Sequence, residues 1–423
     1  MHHMRNRGGY GELLRGSRAF RLLWFAQIAS LFGDWFNVIA SSTLLAQLTG
    51  AGAALGALFA IRMLGSFLAS PLAGVLADRY NRKRILIATD LLRAAAVLGL
   101  LLVREPHHVW LLFVLTALQV GISGVFFPVR VAILPEVASR RLLGPANALS
   151  SATWAAMLAL GAAAGGVFAG IFGIAAAFIL DAATYLLSAL LLIRMPYAAV
   201  NKRSAGTPPA SLGASVRAGI AEYAESLRYL GKHGRVLVVA LQKGFLSIFF
   251  AAFQVASVAI AGTVFPIGAG GGTSVGLLFA AGGVGSALGP LVIQPLLGAR
   301  QQSLRWAMLA GFLLMCAGLA LAAPLASLPL VMVGAALRSV GSGLVWVFST
   351  QILLETVPDE LRGRVIATEH AAFTLLGAVG SAAAGAGLEL LPLSTLVWLL
   401  APLTLIPGLH WAAYGVRRVR KTS

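Results

Sequence analysis

Six ionisable side chains stand inside otherwise apolar segments of this sequence. They are Asp34, Arg62, Arg130, Lys243, Arg338 and Glu369. Charges at such depth are costly in a membrane and are kept mainly at ion or substrate sites and in proton relays. Asp34 lies roughly 21 Å past residue 20, where its apolar segment begins, at 1.5 Å per residue. A carboxyl group there can hold a proton, so we predict a proton or substrate site at Asp34. The alternative is a structural partnership with a nearby arginine.

The other deep charges are mostly basic. Arg62, Lys243 and Arg338 fall near the middle of their segments, Arg130 lies nearer one end, and Glu369 opens a segment. If these side chains face one cavity, it carries more positive than negative charge and favours an anionic or mixed-charge amphiphile over a simple cation. The alternative is that each snorkels towards the interface or pairs within the protein.

Three further charges are predicted to be structural. Asp90 and Arg93 are three residues apart, so they can pair on one face of a helix. Asp181 lies in another apolar segment. We predict that all three stabilise helix packing and take no part in binding.

Long apolar segments must position these side chains. The chain has 423 residues, of which 59% are hydrophobic, and its mean hydropathy is +0.87. Apolar runs of about 18 or more residues are typical of transmembrane helices, and they lack the alternation of barrel strands. We predict an all-α membrane protein with twelve spans, at 20–48, 52–77, 85–104, 109–135, 146–170, 173–195, 235–261, 274–297, 304–323, 328–354, 364–390 and 393–416.

The basic residues predict the orientation of these spans. The formal net charge is +18, which in a soluble protein would suggest nucleic acid as a partner. Here the lysines and arginines cluster in alternate loops, and the opposite loops contain only Arg104. Such asymmetry places both termini and the central loop in the cytoplasm. The basic loops therefore contact anionic lipid head groups, and no nucleic acid is expected.

The two halves of the chain resemble each other at a shift of 219 residues. Ser123 and Gly124 fall on Ser342 and Gly343, and the acidic Glu136 falls on Glu355. Residues 196–234 read as a linker with an amphipathic surface helix. We predict a six-helix bundle at 1–195, this cytoplasmic linker at 196–234, and a second bundle at 235–423, with a site between the bundles near the midplane.

One loop identifies the family that the chain resembles. The stretch "GVLADRYNRKR", residues 74–84, resembles the signature loop of the major facilitator superfamily. Asn81 stands where that family usually has glycine, and we expect it to tolerate a left-handed backbone there. Stretches in spans 1, 4 and 11, "FRLLWFAQIASLFGDWF", "FFPVRVAILPEV" and "VPDELRGRVIA", are similar to the drug and siderophore exporters of the superfamily, such as enterobactin exporters and macrolide efflux proteins. Span 5 departs from the proton-coupled exporters, because "GAAAGG" at 161–166 lacks their proline.

The resemblance implies a conformational latch on the cytoplasmic side. Asp78 would face the start of span 11 near Gly363, and Arg82 would pair with Glu136; Glu355 would act likewise with Arg300. The alternative is that the basic residues only anchor the loop. The predicted latch consists of Gly74, Asp78, Arg79, Arg82, Glu136, Glu355 and Gly363. The resemblance also implies that spans 1, 2, 4, 5, 7, 8, 10 and 11 line the cavity, which leaves Asp34 as its only deep acid.

Together these features predict a secondary active transporter of the bacterial cytoplasmic (inner) membrane. It exports a hydrophobic or amphiphilic small molecule of drug or siderophore type by proton antiport with alternating access. The proton gradient is the energy source, no cofactor or metal is required, and the expected state is a monomer among membrane lipids. The alternatives are an importer or lipid-moving facilitator of the same fold and, more remotely, a membrane-embedded enzyme or a non-transporting sensor.

Overall fold

The computed structural model describes residues 7–197, 224–225, 227–297 and 301–416. Within them, twelve helices are long and apolar enough to cross a membrane, as predicted. The predicted ends differ from the observed ones by at most five residues. We label the spans α1 Arg18–Thr49, α2 Gly52–Arg79, α3 Arg82–Gly99, α4 Val109–Val137, α5 Leu143–Phe172, α6 Ile174–Ile193, α7 Gly234–Thr263, α8 Gly272–Leu297, α9 Gln301–Ala322, α10 Leu328–Thr356, α11 Asp359–Leu390 and α12, which runs from Leu393 to Val416 in three successive helical stretches.

Polar caps and one glycine set the ends of the first helices. The Ser17 hydroxyl accepts a hydrogen bond from the Phe20 amide and donates one to the Val137 carbonyl, which ties the start of α1 to the end of α4. Gly50 ends α1 at a φ of 61°, a left-handed conformation that favours glycine. Side-chain caps of this kind satisfy backbone groups that a helix end leaves unpaired.

The expectation for Asn81 is wrong. Its backbone is extended, at φ −63° and ψ 116°, and not left-handed. The Asn81 side chain instead caps α3, because its Oδ1 accepts a hydrogen bond from the Arg84 amide at 3.2 Å. Asparagine is among the best N-capping residues, so it starts the helix that carries the basic end of the loop.

The helices form two bundles with the same packing pattern. In the first, α1 packs on α5, α2 on α4, and α3 on both α4 and α6. In the second, α7 packs on α11, α8 on α10, and α9 on both α10 and α12. Each second-bundle contact is the first-bundle contact moved by six helices, as expected for a duplicated unit. Most of the predicted linker and its amphipathic helix, at 198–223 and 226, lies outside the described residues, so the domain boundaries stay predictions.

Two helix pairs join the bundles, and glycines allow both to pack closely. We call the membrane face at Arg18 the basic side and the face at Thr49 the far side. Near the far side, a Cβ on Gly385 of α11 would stand 2.7 Å from the Gly56 Cα of α2. Gly166 of α5 packs equally closely against Gly276 of α8. Backbones in such contact leave no room for a passage along these two helix pairs near the far side. That the basic side faces the cytoplasm stays a prediction.

Candidate transport site

Asp34 lies within the first bundle and is half-buried. Its Oδ1 accepts a hydrogen bond of 2.5 Å from the hydroxyl of Tyr185 on α6, and Gln119 of α4 donates to the same hydroxyl at 2.9 Å. Arg62 of α2 interacts electrostatically with Asp34 and donates to the Asn37 side chain at 3.1 Å. The carboxylate of Asp34 is thus held by a phenol and faces an arginine, which keeps it next to a positive charge without a direct ion pair.

Asp181, for which the sequence analysis predicted only a structural role, belongs to the same cluster. It is fully buried on α6 against α1, where a Cβ on Gly33 would stand 2.5 Å from Asp181 Oδ1. The Asn37 side chain faces this carboxylate, which has no other hydrogen-bonding partner among the described residues. Asp181 interacts electrostatically with Asp34, Arg93 and Arg62. A carboxylate buried in this way is costly in its charged form.

The pair of Asp90 and Arg93 is present and connects to this cluster. The Arg93 guanidinium donates to Asp90, and the Ser188 hydroxyl donates to Asp90 Oδ2 at 2.6 Å. Arg93 lies over the rings of Phe126 and Tyr185, 4.1 Å and 4.4 Å from their centroids. The pair therefore supports the face of Tyr185, whose hydroxyl holds Asp34.

The polar face of α6 carried a signal for this arrangement. Asp181, Tyr185 and Ser188 follow one another at spacings of four and three residues, which places them on one side of the helix. Across the described part of the first bundle, the buried cluster contains three acids and two arginines: Asp34, Asp90, Asp181, Arg62 and Arg93. If all five are ionised, one negative charge has no partner.

Lys243 and Glu369 form a separate ion pair in the second bundle. The Lys243 ammonium on α7 donates to Glu369 Oε2 at 2.9 Å and to Thr350 Oγ1 at 2.5 Å. It also lies 4.5 Å from the ring centroid of Trp346. Lys243 is 5% exposed and Glu369 2%, so the ion pair is shielded from water. Because α11 begins at Asp359, Glu369 lies about three turns into the helix and not at its opening.

Two arginines, the half-buried Arg130 and the buried Arg338, have no acidic partner among the described residues. Arg130 of α4 donates to Gln27 Oε1 at 2.6 Å, and Gln27 in turn donates to the Ser150 carbonyl. Arg338 of α10 donates to the Ser339 hydroxyl at 2.8 Å. The deep charges therefore divide into a network at Asp34 and Arg62, an ion pair at Lys243 and Glu369, and two arginines with neutral partners.

Two cavities lie between the bundles. The smaller, about 30 Å³, lies among α1, α5, α7, α8 and α10 and includes Trp35, Phe250 and Arg338 in its wall. The larger, about 290 Å³, opens at the far-side ends of α1, α2, α7 and α11. Drug-sized ligands need cavities of about 300 Å³ or more, so the smaller one holds only a few atoms in this conformation.

Part of the predicted latch forms an ion pair within the first bundle. Arg82 Nη1 lies 2.7 Å from Glu136 Oε1, and the Tyr197 hydroxyl donates to Glu136 Oε2 at 2.5 Å. Burial, followed by this bond, raises the pKa of the Tyr197 phenol, so it remains protonated and donating at neutral pH. Because α3 and α4 belong to the same bundle, the pair does not itself join the halves. It braces the base of α3, and its role in transport stays a prediction.

The remaining residues of the predicted latch either do not contact one another or have surroundings that the structure does not describe. Gly363 near the start of α11 is exposed, and no described atom lies within 4 Å of where its Cβ would stand. Glu355 accepts hydrogen bonds from Gln301 and Gln351, whereas its predicted partner Arg300 is outside the described residues. The helix through Gly74, Asp78 and Arg79 is described but their side-chain surroundings are not, so the predicted contact of Asp78 with α11 stays a prediction.

The sequence analysis did not predict one contact between the bundles on the far side. Glu389 Oε1 of α11 accepts a hydrogen bond of 2.9 Å from the Ala53 amide in the first turn of α2. The N-cap of α2, Ala51, makes no side-chain capping bond of its own. Glu389 therefore caps α2 from the other bundle, and its charge faces the positive end of the helix. A sequence gives no signal for a cap that comes from 336 residues away.

Removing this cap is expected to weaken closure of the far side. A cap is worth about 1 kcal/mol, so Glu389→Ala should increase the population open on the far side roughly fivefold. A cysteine introduced as Val258→Cys, at a position 1% exposed in the wall of the far-side cavity, would report this as faster alkylation by a membrane-impermeant maleimide. Cys316→Ser serves as the background. Glu105→Ala, which removes an exposed acid from another loop, is the matched control. Equal alkylation rates in all variants would exclude a closing role for Glu389.

The family follows from the whole chain. The Major Facilitator Superfamily sequence profile matches residues 23–296 and 244–423. The chain belongs to the major facilitator superfamily. Members of this superfamily are transporters and not enzymes, and twelve spans make this one a multi-pass protein of the bacterial inner membrane.

Three bacterial relatives show which superfamily members are similar. The MFS-type transporter YfiS of Bacillus subtilis (strain 168) is 31% identical over 197 residues, which is 46% of each chain. The proposed bacilysin exporter BacE of Bacillus amyloliquefaciens is 30% identical, over 41% of this chain and 44% of its own. The multidrug resistance protein MdtG of Salmonella paratyphi C (strain RKS4594) is 32% identical, over 35% of this chain and 36% of its own. The chain thus aligns with less than half the length of each relative.

Solved structures show the superfamily fold. The crystal structure of an auto-inhibited POT family peptide transporter superposes with a TM-score of 0.73, over 95% of this chain and 97% of its own, at 15% identity. The likeness supports two pseudo-symmetric six-helix bundles, and at this identity it carries no statement about substrate.

Proposed function

We propose that this superfamily member is a proton-driven exporter of a hydrophobic or amphiphilic small molecule. The observation that carries the proposal is the buried cluster around Asp34, where three acids face two arginines. One bound proton would balance the cluster, and a buried carboxylate gains or loses a proton when its surroundings change. Such a group can couple proton movement to a change of conformation.

The coupling follows from the position of Asp34. When the molecule opens away from the cytoplasm, a proton binds Asp34 and the cluster becomes neutral. When it opens towards the cytoplasm with substrate bound, rearrangement of the bundle brings the Arg62 charge closer to the Asp34 carboxyl group, which releases the proton. The two ligands then favour different states of one site, as antiport requires. Tyr185 holds the carboxylate in place through its 2.5 Å hydrogen bond.

Contacts at both membrane faces would control the switch between the state open to the cytoplasm and the state open to the opposite side. On the far side, Gly56, Gly166 and the Glu389 cap hold the closed state. On the basic side, we propose that Asp78 reaches the start of α11 near Gly363 when that side closes, with Arg82 and Glu136 bracing the loop. The protein would act as a monomer among membrane lipids, with the proton gradient as its energy source.

The relatives support the direction and the class of substrate. One is a proposed bacilysin exporter and another is a multidrug resistance protein, and both align at about 30% identity. The cavity between the bundles is lined mainly by aromatic and aliphatic side chains, which suits a molecule with an apolar body.

Export is tested in a bacterial strain that lacks its own drug pumps. The strain would express the wild type or Asp34→Asn at matched levels and be exposed to a panel of antibiotics and siderophores. The proposal expects the wild type to raise the tolerated concentration, or lower the retained amount, of at least one compound, and Asp34→Asn to lose that effect. Greater retention of compounds by cells with the wild type would instead indicate an importer.

A further inference from the structure

Arg338 is a buried cation for which the described residues supply no counter-charge. Its side chain is 4% exposed, and it is the only charged residue among those described around the 30 Å³ cavity between the bundles. One guanidinium nitrogen donates to Ser339, whereas Nε and Nη1 have no hydrogen-bond partner. A buried charge is ordinarily paired with an opposite charge, as Lys243 is with Glu369 in the same bundle.

An unpaired buried charge is unfavourable, so its retention calls for a compensating ligand. The Phe253 and Phe250 rings lie 4.9 Å and 5.7 Å from the guanidinium carbon and offset part of this cost, but they supply no hydrogen-bond acceptor. Arginine presents a planar set of donors that matches carboxylate, phosphate and sulfonate groups. The two unpartnered nitrogens are the donors that such a group would use.

The wall of the cavity defines what accompanies the anionic group. Trp35 of α1 and Leu158 of α5 face it from the first bundle, and Phe279 of α8 faces it from the second, with the amide of Gln254 nearby. Aromatic walls with one charged anchor and a few neutral polar groups are typical of sites for amphiphiles. A cavity of 30 Å³ is too small for a whole amphiphile, but it can take a head group while the body extends between the bundles.

We propose that this cavity is an anion site, in which Arg338 binds the carboxylate, phosphate or sulfonate group of an amphiphilic molecule. The inference rests on the proposed export function and names its substrate class. Because residues of both bundles line the cavity, an anion bound there would stabilise one arrangement of the halves. An anionic lipid head group offers the same chemistry, so the test must distinguish a lipid from a free amphiphile.

The test compares two probes with the same ring and opposite charge, naphthalene-2-sulfonate and 2-naphthyltrimethylammonium. Their affinities for the purified full chain in phosphatidylcholine nanodiscs are measured by calorimetry. The wild type should bind the sulfonate at least about tenfold more tightly than the ammonium, since a charge-assisted pair is worth about a factor of ten or more. Arg338→Met should lose that preference, and Arg338→Lys should keep part of it.

The thermal stability of an Arg338 variant shows whether Arg338 is an anchor for a ligand or a structural residue. Because Arg338→Met removes an unpaired buried charge, its melting temperature without probe should equal or exceed that of the wild type. A structural arginine would instead leave a less stable protein. Arg305→Met is the matched control, because Arg305 lies near the Trp411 ring and bonds the Gly415 carbonyl, away from the cavity. It should leave sulfonate binding unchanged.

The lipid arm repeats the titration with phosphatidylglycerol in the nanodiscs. Competition with the sulfonate in the wild type, absent in Arg338→Met, would identify a lipid head group as the occupant, and no competition would identify a free amphiphile. Equal sulfonate binding by the wild type and Arg338→Met, or a preference of the wild type for the ammonium, would overturn the anion site. Gradient-driven export that still depends on Asp34 would leave the exporter proposal standing in that case.

Discussion

Asp34→Asn is expected to reduce gradient-driven export to the rate of protein-free vesicles. Asparagine keeps the shape of the side chain and can accept the Tyr185 hydrogen bond, but it cannot bind and release a proton. Exchange of labelled for unlabelled substrate without a gradient should persist, because alternation with substrate bound needs no proton. The measurement is transport by purified protein in vesicles, with and without a pH difference.

Asp181→Asn is the matched variant for this prediction, because it neutralises a second acid of the same cluster. It should leave coupling largely intact if Asp34 carries the transported proton. Loss of coupling in Asp181→Asn together with normal coupling in Asp34→Asn would contradict the assignment and move the proton to α6. If Asp34→Asn lost both coupling and exchange, the substitution would have damaged the site as a whole. The result would then not be a specific loss of proton coupling.

Glu369→Gln is expected to destabilise the protein by about 3–5 kcal/mol, because it leaves the Lys243 ammonium buried without a counter-charge. Glutamine can still accept a hydrogen bond, but it does not supply the charge that offsets the desolvation of Lys243. The free energy of unfolding in mixed micelles, titrated with dodecyl sulfate, is the appropriate measurement.

Two further variants make this prediction specific. Lys243→Met combined with Glu369→Leu removes both charges and should return stability to within about 1–2 kcal/mol of the wild type. Glu12→Gln breaks the ion pair with Arg141, whose side chain is 74% exposed, and should cost less than about 1 kcal/mol. If the double variant were as unstable as Glu369→Gln, the loss would come from packing and not from an unpaired charge.

The helices could be predicted from the sequence because each span carries its own signal. About twenty apolar residues must bury themselves in lipid wherever their neighbours lie, and the arginines of "GVLADRYNRKR" mark the loop that follows. The repeat at Glu136 and Glu355 likewise requires only two stretches of the chain to be compared. Local rules therefore predict the number of spans, their ends and the family.

The candidate site could be predicted only in part, because its contacts join distant segments. The deep charges were evident. A sequence does not state that Lys243 meets Glu369, that Arg338 meets no acid in the described part of the chain, or that Asp181 lies against Gly33. Spacing within one helix did predict the pair of Asp90 and Arg93. Which residues pair across helices depends on how each helix is rotated about its axis and how deep it lies in the membrane. For a single apolar helix in lipid, different rotations and depths differ little in free energy, so its own sequence does not select one.

The prediction of a left-handed backbone at Asn81 failed for a different reason. The family pattern has a glycine there, so a left-handed turn was the natural expectation, yet asparagine supplies a capping oxygen that glycine lacks. The same turn between α2 and α3 is therefore built with a different backbone. A motif predicts where a turn lies more securely than it predicts the geometry of that turn.

The central claim, proton-coupled export, is tested most directly in inverted membrane vesicles. The cytoplasmic face is then outside, and respiration acidifies the interior. The compound with the largest effect in the resistance panel should accumulate inside energised vesicles that contain the wild type. A protonophore, or the Asp34→Asn substitution, should abolish that accumulation. Accumulation by the wild type that is unchanged when the gradient is collapsed would contradict proton antiport.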